Sequence, residues 1–183
     1  MGVLVIDIGT SGLRAGLVRH DGTLHFLNYE ACRPDTPTPG LVEFDAQKLA
    51  EAALRVCNLT IEQSRKTDKI VAVGITNQRA STVIWSKSTG KPFGPALGWQ
   101  DLRTVGECIT AHAEHGIKLA PNQTATKAAW ILKHYIDANK IDHRDVCIGT
   151  VDSFIAATLS NNQLHVTDSS NAAVTGLCEL DAR

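Results

Sequence analysis

The sequence carries almost no excess charge, because 18 Lys and Arg residues are balanced by 19 Asp and Glu residues. A formal net charge of −1 provides no electrostatic basis for binding nucleic acid or an anionic membrane surface. No apolar run approaches the length of a transmembrane helix, and the run over residues 3–8 is too short for the core of a signal peptide. We therefore expect neither a nucleic-acid partner nor a membrane partner.

Cysteine is sparse and scattered. The chain has five cysteines and no Cys-x-x-Cys pair, so neither a zinc site nor a disulfide framework is indicated. Free thiols are typical of the cytoplasm, and a cytoplasmic location is the prediction.

The order of apolar patterns predicts a mixed α/β domain whose first three strands pair antiparallel. Its 183 residues, 43% of them apolar, are enough for a hydrophobic core. Strands are predicted over residues 3–8, 13–19, 24–31, 70–76, 82–85, 97–99, 146–149 and 164–166. Helices are predicted over residues 46–66, 103–115, 126–138 and 152–159, with Asp45, Asp152 and Asp168 as caps or turn formers. The near-continuous apolar run over residues 70–76 is typical of a buried strand.

The first hairpin holds the pattern with the clearest chemistry. An apolar strand reaches Asp7, a turn of two glycines, a threonine and a serine follows, and the returning strand carries Arg14. The backbone N–H groups of Thr10, Ser11 and Gly12 can form an anion-binding nest. The carboxylate of Asp7 is a suitable oxygen ligand for Mg²⁺, and Arg14 can clamp a phosphate oxygen. The alternative is an ordinary hairpin in which Thr10 and Ser11 only cap the turn.

Two other nucleotide-binding patterns do not fit. The spacing of Gly9 and Gly12 differs from the dinucleotide fingerprint, and the first strand leads into a second strand rather than a helix. The Gly90-Lys91 pair lacks the leading glycine of a P-loop and is followed by Pro92.

Taken together, the motifs resemble the amino-terminal part of the FGGY carbohydrate kinases, and most of all the glycerol kinase branch of that family. The resemblance begins with Asp-Ile-Gly-Thr-Ser-Gly-Leu-Arg at residues 7–14 and Gly-Ile-Thr-Asn-Gln-Arg at residues 74–79. Further segments match in the same order, at residues 39–45, 85, 89–92, 99–100, 126–132, 149–152, 165–168 and 171–172. The resemblance implies an actin-like, ribonuclease-H-like ATPase fold, in which a mixed sheet is flanked by helices. It also implies transfer of the ATP γ-phosphoryl group to a sugar or polyol hydroxyl.

The resemblance assigns a role to each residue of the first hairpin. Asp7 would organise Mg²⁺, while Thr10, Ser11 and Gly12 would hold the phosphates of ATP. Arg14 would steady the transferring group, which is the charge neutralisation that phosphoryl transfer requires.

The same resemblance places the alcohol substrate beside Gln78, Arg79, Ala80, Trp99 and Asn122. Arg79 would donate hydrogen bonds to substrate hydroxyls, and its alternative is a surface salt bridge. Trp99 would form an apolar wall against the carbon backbone of the substrate, and its alternative is core packing.

The chain departs from the family pattern at two of these positions. Ala80 stands where glycerol kinases carry Glu, which removes an acceptor for substrate hydroxyls. Asn122 stands where the family has an aromatic residue, usually Tyr, and an amide cannot wall the pocket in the same way. A larger polyol or a sugar could use the vacated space, so the substrate is left as a polyol or a sugar.

The family's general base is an aspartate in a Gly-Asp-Gln segment that is not found among these residues. We therefore assign no catalytic residue here and expect the general base beyond Arg183. The interpretation is that residues 1–183 form an incomplete amino-terminal domain, inactive alone, whose second domain is absent. The alternatives are a truncated, non-catalytic product that binds phosphate weakly or a protein partner, and a chaperone-type or actin-type ATPase. A homo-oligomer is left open, since related kinases are often dimers or tetramers.

Overall fold

The computed structural model describes residues 1–178, which form two compact units, each with its own four-stranded sheet. One unit comprises residues 1–33 and 47–78, and the other comprises residues 34–46 and the described residues from 79 onward. The strands are β1 (Gly2–Ile8), β2 (Gly12–Arg19), β3 (Leu24–Ala31), β4 (Glu43–Phe44), β5 (Ile70–Asn77), β6 (Thr82–Ser86), β7 (Ala96–Leu97) and β8 (Val146–Thr150). The helices are α1 (Ala46–Ser64), α2 (Val105–His115), α3 (Thr124–Ile131), α4 (Val151–Leu159) and α5 (Ser169–Ala172). A π-helical segment covers Leu132–Asp137 and a 3₁₀ turn covers His143–Asp145.

The first unit has a mixed sheet in the order β3-β2-β1-β5. β1 pairs antiparallel with β2 and parallel with β5, while β2 pairs antiparallel with β3. The predicted opening of three antiparallel strands is therefore confirmed. Parallel pairing of β1 with β5 requires a crossover, and α1 provides it.

The core of the first unit lies between this sheet and α1. Alternate residues of β1 are buried, as a period of two dictates for a strand with one covered face, and five of the first six residues of β2 are buried. The buried residues of α1 recur at helical spacing and include Leu49, Ala53, Val56 and Cys57. The helix begins directly after Asp45 and ends two residues earlier than the expected residue 66.

β5 is not the buried strand that its composition predicts. It is the edge strand of its sheet, and Val71 and Val73 are 56% and 52% exposed. An apolar run is typical of a strand covered on both faces, but in this chain the run lies at an edge. The prediction of a buried strand is therefore wrong for the described residues.

The second unit has an antiparallel sheet in the order β4-β7-β6-β8. All five residues of β6 are buried. A hydrophobic cluster packs Ile84 of β6 against Leu97, Ile131 and Ile136. The expected strand at 97–99 is shorter and lies at Ala96–Leu97, so Trp99 is outside it.

The helix expected over residues 126–138 is irregular. α3 begins at Thr124, and from Leu132 to Asp137 the chain continues as a π-helical segment. α2 starts at Val105, two residues later than expected, and ends in a left-handed Gly116.

Asp152 is not the cap of α4. Thr150 holds the N-cap position, and Asp152 is the second helical residue, buried, with Oδ2 accepting a 2.6 Å hydrogen bond from Thr167 Oγ1. Asp168 does cap α5, because its carboxylate accepts from the backbone N–H groups of Ser170 and Asn171. The predicted strand at 164–166 is wrong, since these residues form no regular element.

Within residues 1–178, no helix is long and apolar enough to cross a membrane. The described part of the chain contains no disulfide, and the thiols of Cys57, Cys108 and Cys147 are buried.

Candidate functional site

The first hairpin places Asp7 and Arg14 opposite each other. The two residues are register partners in β1 and β2, and Arg14 Nη1 lies 3.3 Å from Asp7 Oδ2. Both side chains are 47% exposed, and the Arg14 guanidinium also lies over the Tyr29 ring at 5.2 Å. An exposed pair of this length contributes little to stability. Both groups are therefore accessible to a ligand of opposite charge.

The turn between the strands is closed by backbone hydrogen bonds. Gly9 N–H donates to Gly12 O at 3.0 Å, and Cys32 N–H donates to Ser11 O at 3.2 Å. Ser11 is exposed and Thr10 is half-buried. The structure therefore places Thr10, Ser11 and Gly12 together at one end of the sheet, beside Asp7 and Arg14, while their contact with phosphate remains a prediction.

Gly12 is needed for space and not for a left-handed backbone. Neither glycine of the turn has a positive φ. A Cβ on Gly12 would lie 2.6 Å from Tyr29 Oη and 2.7 Å from Glu30 O. The close approach of β3 therefore excludes a side chain at Gly12.

A magnesium ion would find one carboxylate at this hairpin. No group of three or more His, Cys, Asp or Glu side chains among residues 1–178 could hold a metal ion. Mg²⁺ usually keeps several waters and binds through one or two carboxylates plus substrate phosphates. The half-exposed Asp7 fits an ion that arrives with a nucleotide, and it does not fit an ion held by protein ligands alone.

The second unit contains an open cavity of about 330 Å³. Arg79, Ala80, Trp99, Asn122 and Val174 line it. Four of these were predicted to contact the alcohol, and the structure brings them together from distant parts of the sequence. Gln78 belongs to the first unit, where its N–H donates to Ile8 O at 2.7 Å, and it is not among the lining residues.

Arg79 and Ala80 form one side of this cavity. Arg79 is exposed, and within the described residues no carboxylate forms an ion pair with it, so its N–H donors are available to hydroxyls. Ala80 is buried in a left-handed conformation with φ of 64°. The hydroxyls of Thr82 and Thr124 donate to Ala80 O at 3.3 and 3.4 Å. These bonds help to hold a conformation that costs free energy in an alanine.

Trp99 lies on a loop that a buried carboxylate holds in place. Trp99 is 40% exposed, which excludes plain core packing. Its backbone N–H donates a 3.0 Å hydrogen bond to Ser81 Oγ. Two residues further, the fully buried Asp101 accepts hydrogen bonds from Val42 N–H at 2.6 Å and from Arg103 Nε at 2.8 Å.

Asp101 is ionised in spite of its burial. Burial favours the neutral carboxyl, but the hydrogen bonds from Arg103 and from Val42 N–H outweigh it and lower the pKa of Asp101. Arg103 also donates to Glu43 Oε1 at 2.7 Å and lies over the Trp130 ring at 4.6 Å. The loop that carries Trp99 is therefore held through Asp101 and Arg103, which form charged hydrogen bonds with each other, with Val42 N–H and with Glu43.

Asn122 lies on the loop that precedes α3. Asn122 is exposed and lines the cavity, and the carbonyl groups of both neighbouring residues accept hydrogen bonds from side chains of α3. Lys127 Nζ donates to Pro121 O at 2.8 Å, and Thr126 Oγ1 donates to Gln123 O at 3.1 Å. The loop is thus connected to the buried side of α3.

Sequence reasoning missed the groups that support the cavity. Asp101 and Arg103 resemble any Asp-x-Arg pair on a loop, and the sequence contains a second such pair at Asp142 and Arg144 that is exposed. Val174 gave no signal, because one valine in a polar segment has no distinctive chemistry. The sequence did offer a signal for Lys127, because this lysine falls within the apolar stripe of α3, and the stripe predicts that a side chain at that position is buried.

Comparison with known proteins identifies the class. Residues 2–183 match the amino-terminal domain of the FGGY family of carbohydrate kinases. This match shows that the chain belongs to the FGGY carbohydrate kinase family.

Individual relatives agree with this assignment. The glycerol kinase of Trichlorobacter lovleyi is 38% identical over 184 residues, which cover 94% of this chain and 37% of that protein. The glycerol kinase of Janthinobacterium sp. is 36% identical over 94% of this chain and 36% of its own length. This chain thus spans about 37% of the length of the curated relatives that it matches.

Solved structures show the same fold. Plasmodium falciparum glycerol kinase, crystallised with ADP, superimposes with a TM-score of 0.85 at 22% identity, over 96% of this chain and 38% of that one. Xylulose kinase from Rhodospirillum rubrum gives a TM-score of 0.83 at 20% identity, over 98% of this chain and 38% of that one. The expected actin-like ATPase fold, with a mixed sheet and flanking helices, is confirmed as a partial match to these kinases.

Proposed function

We propose that this chain forms the phosphate-binding hairpin and part of the alcohol pocket of an ATP-dependent polyol or sugar kinase. The observation that carries the proposal is the cavity in which Arg79, Trp99 and Asn122 meet. A guanidinium, an indole face and an amide form a chemically suitable set for a polyhydroxylated carbon chain. The family assignment supplies the reaction class, and the cavity supports the substrate class.

The nucleotide side of the proposal rests on the first hairpin. Asp7 would hold Mg²⁺ together with the phosphates of ATP, and the turn at Thr10, Ser11 and Gly12 would bind those phosphates. Bound Mg²⁺ would neutralise charge on the transferring group. Arg14 would exchange its 3.3 Å contact with Asp7 for a phosphate oxygen, since a charge-assisted bond to phosphate is stronger than an exposed ion pair.

No residue of the described chain is assigned as general base. Deprotonation of the alcohol is proposed to depend on an aspartate elsewhere in the complete kinase, as the family resemblance implies. A cytoplasmic location is part of the same proposal, which leaves the oligomeric state open.

The substrate is proposed to be larger than glycerol. The lining residues of the cavity include no carboxylate among the described residues, and Ala80 leaves space at the position where glycerol kinases carry Glu. A site without that acceptor discriminates less strongly for a small triol.

Calorimetric titration of the 183-residue chain with a panel of polyols and sugars tests this proposal. We expect one or more larger polyols or sugars to bind more tightly than glycerol, and the Ala80→Glu variant to reverse that order. The Ala113→Glu variant, on the exposed face of α2, is the matched control and should leave the order unchanged. Preference for glycerol in the unmodified chain would contradict the proposed substrate, and absence of binding by every alcohol would contradict the pocket.

One observation favours a second candidate, a non-catalytic module that binds a partner through β5. The exposed edge strand presents Val71 and Val73 with more than half of each side chain accessible, and unpaired strand edges accept further strands. Sedimentation of the chain at increasing concentration, with Val73→Lys as the variant, distinguishes the two. Self-association that Val73→Lys abolishes, without alcohol binding, would support this candidate over the kinase.

A further inference from the structure

α3 buries a lysine completely. Lys127 has no exposed surface, although lysines are almost never fully buried without a partner. Burial of an ammonium group costs free energy unless its donors are satisfied. The contacts of this side chain therefore indicate what it does.

The partners of Lys127 are the carbonyl groups on either side of Asn122. Nζ donates to Pro121 O at 2.8 Å and lies 3.5 Å from Gln123 O. The buried cation therefore holds the loop at the carbonyl groups of the two residues that flank Asn122, which lines the cavity.

Further hydrogen bonds hold the loop that contains Asn122. The side-chain oxygen of Gln123 accepts from Ala120 N–H at 3.0 Å, and Thr126 Oγ1 donates to Gln123 O at 3.1 Å. Ala125 N–H donates to Thr175 O at 2.8 Å, beside the lining residue Val174. The loop is thus a compact structure whose only cationic donor among these contacts is Lys127.

We propose that Lys127 is a positioning residue that sets the Asn122 wall of the cavity and makes this wall respond to pH. The effect on ligand binding rests on the proposed function, whereas the effect on the loop does not. The role is distinct from catalysis, since Lys127 is enclosed and reaches a ligand only through the loop.

The protonation of Lys127 supports this role. Burial lowers the pKa of Lys127 to about 8, while the charge of Asp101 opposes that effect. Arg103 engages Asp101, and Glu107 acts on Cys108. Burial in turn raises the pKa of the Cys108 thiol, so Lys127 titrates first as the pH rises.

Deprotonation changes the strength of the bonds to the loop. A charged donor forms shorter and stronger hydrogen bonds than a neutral amine. At pH 7 the ammonium holds Pro121 O firmly, and above pH 8 the neutral amine holds it weakly. Asn122 is therefore expected to be better ordered below pH 8 than above it.

The test is a pH titration of the ¹⁵N-labelled 183-residue chain, followed by NMR from pH 6.5 to 10. We expect the side-chain amide of Asn122 and the backbone amide of Gln123 to shift with one shared inflection near pH 8. Lys127→Met should remove the inflection, and Lys133→Met, which changes an exposed lysine in the following π-helical segment, should leave it in place. Lys127→Arg, which keeps a permanent charge, should hold the loop but lose the inflection.

The titration of the unmodified chain can refute the proposal even if Lys127→Met does not fold. Flat Asn122 and Gln123 signals in the unmodified chain across this pH range would overturn the proposal. An inflection that persists in a folded Lys127→Met variant would also overturn it.

A second readout separates this proposal from the proposed function. Polyol titrations followed by the Trp99 indole signal at pH 7 and pH 9.5 should show weaker binding at the higher pH, on the order of fivefold for one weakened hydrogen bond. If the loop titrates as expected but no alcohol binds at either pH, the positioning role stands and the proposed function fails. If alcohols bind equally at both pH values while the loop signals stay flat, the positioning role fails and the proposed function stands.

Discussion

The hairpin of the first unit and the cavity of the second unit are constructed in different ways. In the hairpin, Asp7 and Arg14 face each other on paired strands, and both are 47% exposed. In the cavity, the lining residues lie on loops, and the buried ionic groups of Asp101, Arg103 and Lys127 hold two of those loops through hydrogen bonds. A site on strands inherits its geometry from the sheet, whereas a site on loops needs its own support.

This difference predicts where substitutions act. Substitutions at the hairpin should affect ligand binding while the fold stays stable, except at Gly12, where there is no space for a side chain. Changes beneath the cavity should affect stability first.

The Asp101→Asn substitution is expected to have the largest effect. It removes the charge that accepts from Val42 N–H and Arg103, and among residues 1–178 it leaves Arg103 with Glu43 as its ionic partner. Breaking a buried pair by removing one partner costs about 3–5 kcal/mol. Chemical denaturation followed by circular dichroism measures the loss.

The exposed pair of Asp142 and Arg144 provides a matched control. It has the same Asp-x-Arg spacing and the same side-chain to backbone bond, but its Arg is 91% exposed. Asp142→Asn should change the denaturation midpoint far less than Asp101→Asn. Equal losses in the two variants would show that burial of the Asp101 pair does not matter.

The second effect is a pH dependence of stability that belongs to Lys127. The pKa of this lysine is lowered from 10.5 to about 8 by burial, so between these values the unfolded chain binds more protons than the folded chain. The free energy of unfolding should therefore rise between pH 8 and pH 10.5, by roughly 3 kcal/mol at most. Lys127→Met should lack this component, and the difference between the two denaturation curves against pH measures it. A constant difference over this range would contradict the assignment.

At the hairpin, Gly12→Ala tests whether close packing of β3 limits the turn. Its Cβ would meet Tyr29 Oη and Glu30 O at distances under 3 Å, and overpacking of this kind costs about 1–3 kcal/mol. Gly106 in α2 is the control, because a Cβ there has no neighbour within 4 Å, so Gly106→Ala should stabilise by up to about 1 kcal/mol. A neutral Gly12→Ala variant in thermal denaturation would contradict the close approach of β3.

The smallest predicted effect is at Ala80. Its φ of 64° is unfavourable for alanine, so Ala80→Gly should stabilise by up to about 1 kcal/mol. The same substitution at Ala113, in the ordinary helical backbone of α2, should destabilise by about 1 kcal/mol. Opposite signs in the two thermal denaturation midpoints are the expected result. A loss of stability at both positions would show that Ala80 is unstrained.

The sequence was informative wherever the pattern was local. Alternation and turn residues predicted β1, β2 and β3, and the helical spacing of α1 predicted its buried face. The position of β5 was not predictable in the same way, because its composition cannot show whether a neighbouring strand covers it. The strand expected at 164–166 failed for a related reason, since its short apolar pattern has no pairing partner in the described chain.

In the candidate site too, local patterns were predictable from the sequence and contacts between distant segments were not. Residues of the cavity such as Trp99 and Asn122 were found through motifs, because the family resemblance carries them as a set. Their supports were not found, since the burial of Asp101 and Lys127 depends on contacts between segments far apart in sequence. Local pattern therefore predicted the residues that line the cavity better than the residues that support it.

The most direct test of the central claim is an NMR titration of the ¹⁵N-labelled chain with Mg-ADP and, separately, with the best-binding alcohol. We expect the nucleotide to shift the amides of residues 9–12, with a loss of affinity in Asp7→Asn, and the alcohol to shift the Trp99 indole and the Asn122 side chain. Nucleotide-induced shifts that leave residues 9–12 unchanged and cluster elsewhere would contradict it.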